Sequence, residues 1–172
     1  MLTAGGHSGP RRLKTVEMIH LNGNGIKNCP VDDLPEEVQK HSAVNSKVGP
    51  IVCGGATDKG DTQKCHRLII ANGSWEKFDP LNIARTFFSM TEINDLLVSI
   101  GDAKSSSSYE HINVLNETKW TEKAMPFSIY YHCSTKINQS TILITGGKMN
   151  GKVSENNLII CFQNDVYTLF DF

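Results

Sequence analysis

Apolar residues along this chain come in runs of 4 to 7, separated by polar stretches rich in Gly, Asn, Asp and Ser. Runs that short, heavy in Val, Ile, Leu and aromatics and bounded by turn formers, predict β-strands, because a helix needs about ten residues or more of 3.6-residue periodicity. Only DLPEEVQKH, from Asp33, hints at helix.

The runs recur in a fixed order. VQKHSAV from Val38, RTFFSMT from Arg85 and IYYHCST from Ile129 each precede a second run, PIVCGG, LLVSIGD or TILITGG, that halts on glycine. A polar loop follows, then a third run (VEMIHLN, HRLIIAN, HINVLN, NLIICF), then a fourth element carrying Trp75, Trp120 or Tyr167. Between third and fourth runs lie NGS, NET and QND, whose Asn and Gly tolerate the positive φ of tight hairpins, so these two strands are expected to be antiparallel neighbours.

The halting sites are Gly5-Gly6, Gly54-Gly55, Gly101-Asp102 and Gly146-Gly147, spaced by 49, 47 and 45 residues. A spacing this regular is an internal repeat of one supersecondary unit. It divides the chain into a partial set at 1–37 and complete four-strand sets at 38–82, 83–126 and 127–172.

Four strands per period, a glycine pair closing the second strand and a Trp 18 to 20 residues later resemble kelch repeats. The arginine usual before the first strand is matched by Arg85, while Val38 and Ile129 stand at the corresponding positions and Asp102 replaces a second glycine. The resemblance implies an all-β, kelch-type β-propeller of about three and a half blades, part of a ring that usually closes with about six, and hence a fragment of a longer protein. In such a ring Gly5, Gly6, Gly54, Gly55, Gly101, Gly146 and Gly147 allow crowded inner strands to approach, Trp75, Trp120 and Tyr167 fill the outer gaps between blades, and Arg85 belongs to the repeat. A chain complete as given would be expected to self-associate through its open edges.

Composition narrows the functional classes. The 172 residues are 39% apolar and 20% charged, with a net charge of -1 and scattered Lys and Arg, which argues against nucleic acid or anionic membrane as partner. No apolar stretch reaches the roughly 18 residues of a membrane span, and no secretory signal is visible at the start.

No cofactor or catalytic set is expected. Kelch-like copper radical oxidases need a cross-linked tyrosine and two histidines at one metal, and nothing in the spacing here converges on that. His132-Cys133 and Cys65-His66 are adjacent pairs whose side chains point to opposite faces of a strand, and the glycine pairs lack the pattern of a phosphate loop. Cys53 and Cys65 fall on adjacent strands of one blade, where a disulfide needs Cβ atoms within about 4.5 Å. Asn72, Asn116 and Asn138 head glycosylation sequons. Together with a cysteine spacing similar to that of some extracellular kelch domains, they tilt the expected compartment outward, with the cytoplasm close behind.

The expected role is a non-catalytic protein-binding module. The long polar loops after the glycines share one face and offer Lys59, Asp61, Lys104, Tyr109, Lys148 and Asn150 for partner contact. Alternatives are the substrate-recognition propeller of a BTB-kelch cullin ubiquitin ligase adaptor and a galactose-oxidase-like enzyme fragment.

Overall fold

The computed structural model describes residues 2–22, 25–103, 108–113, 119–154, 157–163 and 166–171. Lys104 and Asn116 lie outside them. Among the described residues the chain is all-β, a series of small antiparallel sheets with no helix.

Sheet one holds β1 (Leu2–Ser8), β2 (Arg11–Asn22) and β3 (Gly25–Cys29) in that order. Next come β4 (Ser42–Ser46), β5 (Gly49–Cys53), a small hairpin of β6 (Ala56–Thr57) and β7 (Gly60–Asp61), then β8 (Cys65–Ile69) and β9 (Ser74–Phe78). Sheet two has the order β4-β5-β8-β9. Sheet three is the meander β10 (Ser89–Ile93), β11 (Leu96–Ile100), β12 (Ser108–Asn113) and β13 (Thr121–Ala124). The last region runs β14 (Ile129–Tyr130), β15 (Cys133–Asn138), β16 (Thr141–Thr145), β17 (Lys148–Met149), β18 (Lys152–Val153), β19 (Leu158–Gln163) and β20 (Val166–Asp171). Sheet four has the order β15-β16-β19-β20, and β14 pairs with the β17–β18 hairpin.

Every pairing is antiparallel; most join strands adjacent in the chain, as turn chemistry dictates, while β5–β8, β16–β19 and β14–β17 pair across intervening strands. Ile93 pairs with Leu96 across a two-residue turn of Asn94 and Asp95, both at positive φ (47° and 66°), the conformation a primed hairpin needs and that Asn and Asp accept. The third and fourth strands of sheet two meet through Ile69 and Ser74, with Gly73 at φ 75° closing the turn after Asn72.

The core lies between sheets. Leu97 on β11 packs with Ile51, Met90, Leu81, Phe88 and Trp120 toward sheet two, whereas its neighbours Val98 and Ile100 pack with Ile142, Ile144, Leu158 and Ile160 toward sheet four. The two-residue period of a strand thus gives β11 two buried faces and sandwiches sheet three. A smaller cluster of Leu34, Val38 and Val52, flanked by Ala4, Val16 and Trp75, joins sheets one and two.

The segment DLPEEVQKH is not a helix. Leu34 and Val38 are buried four residues apart, which imitates helical spacing, but the backbone bonds other strands: Leu34 donates to the Lys14 carbonyl (2.8 Å) and Val38 to that of Leu13 (3.0 Å). Tertiary pairing overrides the weak local preference.

Candidate functional site: the face beside the glycine pairs

One set of hydrogen bonds recurs at each junction between sheets. The amide after the first glycine reaches into the next sheet: Gly6 donates to Val38 (2.8 Å), Gly55 to Arg85 (2.7 Å) and Asp102 to Ile129 (3.1 Å). A Cβ on the first glycine would collide with the same elements, standing 2.8 Å from the Val38 oxygen at Gly5 and 2.8 Å from the Phe88 ring at Gly54. At Gly146 nothing lies within 4 Å. Gly5, Gly54 and Gly101 are therefore contact points for the segment entering the neighbouring sheet, and Gly146 is not.

Asp102, which breaks the glycine pattern, is 3% exposed and accepts the Thr86 amide (2.8 Å). Arg85 is fully buried and donates from Nη1 to the Gly101 carbonyl (2.9 Å). Two buried polar groups thus satisfy backbone partners at one junction, where Val38 and Ile129 do without them. The tryptophans have matching roles: Trp75 Nε1 donates to the Asp32 carbonyl and Trp120 Nε1 to that of Asp79, both at 2.9 Å, tying each outer edge to the preceding linker. Trp120 is buried and Trp75 half-buried; Tyr167 lies on β20 opposite Phe162.

The segments before the first strands and those after the glycines share one face. Gln39 bridges Ala56, Ala103 donates to the Thr86 carbonyl (3.0 Å), and Tyr130 pairs with Lys148. Of the expected contact residues, Lys59 is exposed at the tip of the β6–β7 hairpin and Asp61 is half-buried at its base. Lys148 is half-buried on β17. Asn150 is exposed but engaged, its Oδ1 accepting the Ser128 amide (3.1 Å). Tyr109 sits on strand β12 opposite Ile100 rather than in a loop.

The sequence reading missed a row on this face. Lys40, Phe87 and Tyr131 occupy the same place in three repeats, and all have left-handed backbone angles, φ 60°, 57° and 59°. That conformation costs an L-residue about 1–2 kcal/mol and a glycine nothing comparable. Their backbones form a chain, Phe87 donating to the Lys40 carbonyl (3.0 Å) and Tyr131 to that of Phe87 (2.9 Å). Their side chains also touch: the Lys40 ammonium lies 4.8 Å from the Phe87 ring centre, and the Phe87 and Tyr131 centres are 4.1 Å apart. Tyr130 adds a ring 5.2 Å from Tyr131. The signal was available, since each is the third residue of VQK, RTF and IYY.

Behind the face, His132 is buried and its Nε2 lies 2.7 Å from the Ser89 hydroxyl. Burial lowers its pKa to about 4, and lowers that of His41 against an opposing hydrogen bond with Ala4. No group of three or more His, Cys, Asp or Glu placed to hold a metal occurs among the described residues. Cys53 and Cys65 form a disulfide across β5 and β8 with Cα atoms 4.1 Å apart. Asn72 and Asn138 are both exposed, each accepting from the serine two residues on.

No family model and no curated protein sequence matches the chain. Among solved structures it is similar to YjhT, with a TM-score of 0.78 at 8% identity over 92% of this chain. The likeness is one of fold, and the chain spans 58% of the length of YjhT.

Proposed function

We propose that the chain is a run of kelch-type β-propeller blades, at 1–37, 38–82, 83–126 and 127–172, that serves as a non-catalytic protein-binding module. The observation that carries this reading is the recurrence of one inter-sheet hydrogen bond, Gly6 to Val38, Gly55 to Arg85 and Asp102 to Ile129, which relates each sheet to the next as a repeat does. A scaffold of that kind holds its connecting loops rigid on one face, where they can differ freely in sequence. Lys59 and Asp61 belong to that face, on a hairpin anchored at Gln39 and Ala56. The partner is a protein, and the binding residues come from several repeats at once.

The test is a binding titration with protein partners captured by the full chain, identified, and purified. Lys59→Glu combined with Asp61→Lys is expected to weaken such a partner about tenfold, while Glu122→Lys, on the exposed outer strand β13, leaves it unchanged. Partners that respond only to the outer strand, or a small molecule turned over by the chain, would overturn the reading.

A further inference from the structure

Lys40, Phe87 and Tyr131 pose a physical question. At positive φ a glycine would satisfy the same backbone hydrogen bonds without strain, yet three repeats place large side chains there. Asn94, Asp95 and Asn150 are also left-handed, but Asn and Asp accept that conformation readily and sit in hairpin turns. Lys, Phe and Tyr do not, and strain of this kind is characteristic of sites where the side chain is used.

What the row presents is specific. Tyr131 is 52% exposed and Phe87 half-buried, giving a rigid aromatic surface that loses little entropy on binding. A positive charge stands at either end: Lys40 over the Phe87 ring, and Lys148 paired across strands with Tyr130. Neither ammonium has a carboxylate partner within 4.0 Å among the described residues, whereas Lys14, Lys47 and Lys64 each have one. Unpaired cations bracketing aromatic rings complement a ligand with the opposite arrangement.

We propose that Lys40, Phe87, Tyr130, Tyr131 and Lys148 form the recognition site for a peptide segment that carries an aromatic or proline ring flanked by carboxylates. This rests on the protein-binding reading above and moves its centre from the hairpin tips to the row between them. The ring of the segment stacks on Tyr131 and Phe87, and its carboxylates reach the two lysines. Aromatic anchors at the centre with charges at the rim are the usual distribution of binding energy in a protein interface.

The experiment selects random displayed dodecapeptides on the full chain and then measures the best binders against variants. Enriched peptides are expected to carry Asp or Glu on both sides of Trp, Tyr, Phe or Pro. Phe87→Gly and Lys40→Glu should each weaken them about tenfold or more, and the Lys40→Glu loss should shrink at high salt. Tyr131→Gly should also weaken binding while melting no lower than the parent, because the glycine releases backbone strain. Binders indifferent to these substitutions but weakened by Lys59→Glu with Asp61→Lys would overturn this site and leave the protein-binding face standing. Failure to enrich any peptide over an unrelated β-sheet protein, or binding to a glycan array in its place, would overturn both.

Discussion

Gly54 sits against the ring of Phe88 so closely that a Cβ there would stand 2.8 Å from Phe88 Cε1 and 2.9 Å from the Arg85 carbonyl oxygen. Its φ of 63° adds backbone strain to that steric conflict. Gly54→Ala is therefore expected to destabilise by about 3 kcal/mol, from the left-handed cost and overpacking together. Gly146, at φ 67° with nothing within 4 Å, isolates the first term. Gly146→Ala should cost only about 1–2 kcal/mol, and urea denaturation of both variants would separate sterics from strain. Equal losses would mean that the contact with the next sheet contributes nothing.

His132 gives stability a defined pH dependence. Buried beside Ser89, it titrates near 4 in the folded chain against an ordinary value of 6.5. The unfolded chain takes up the proton first, so this contribution is complete above about pH 6.5 and is lost as pH falls toward 4. The gap corresponds to about 3 kcal/mol, and His41 and His66, also lowered by burial, act with the same sign. The second repeat already carries Phe88 at this position. His132→Phe should flatten the acid limb by about 1–3 kcal/mol while leaving the Ser89 hydroxyl unpartnered at a cost of about 1 kcal/mol at every pH. Stability measured at pH 7 and pH 4.5 checks it, and an unchanged acid limb would assign the titration elsewhere.

The two tryptophans differ in what they hold. Trp120 is 4% exposed within the cluster between sheets two and three, while Trp75 is half-buried, although both donate to a linker carbonyl. Trp120→Ala should cost about 3–5 kcal/mol, and Trp75→Ala visibly less. Trp120→Phe keeps most of the apolar volume and loses the bond to Asp79, for about 1 kcal/mol. Thermal melts of the three variants decide the ranking, and a Trp75→Ala loss as large as that of Trp120→Ala would contradict it.

Strand content and pairing were legible in the sequence because they rest on local signals: short β-branched runs, and Asn and Gly where turns need positive φ. The close approaches at Gly5, Gly54 and Gly101 were legible for a similar reason, as glycine marks places where backbone must approach its neighbour. The segment from Asp33 misled because its buried pair, Leu34 and Val38, is set by contacts with β2 and β5 rather than by its own periodicity. The shared position of Lys40, Phe87 and Tyr131 was legible as the third residue of VQK, RTF and IYY, but their left-handed backbone was not, because three different side chain types carry it. Arg85 was visible as the arginine usual before the first strand, but its bond to Gly101 and the bond from Thr86 to Asp102 depend on how the segment before β10 meets the end of β11.

The cysteines divide by environment, and a labelling experiment reads that division directly. Cys53 and Cys65 are joined across a separation of 12 residues and are 1% and 2% exposed, so neither reductant nor alkylating agent reaches them readily in the folded chain. Cys133 is exposed, and Cys29 and Cys161 are half-buried free thiols. Under native conditions an alkylating reagent should modify Cys133 first and Cys29 and Cys161 slowly. Denaturant alone should bring the count to the three free thiols, and denaturant with reductant to all five cysteines of the chain. Closing a loop of this size restricts the unfolded chain by about 3 kcal/mol, so Cys53→Ala with Cys65→Ala should lower the urea midpoint by a corresponding amount. Five reactive thiols in denaturant without reductant would show that the strands are held by packing alone, and the double variant would then lose only its buried sulfurs.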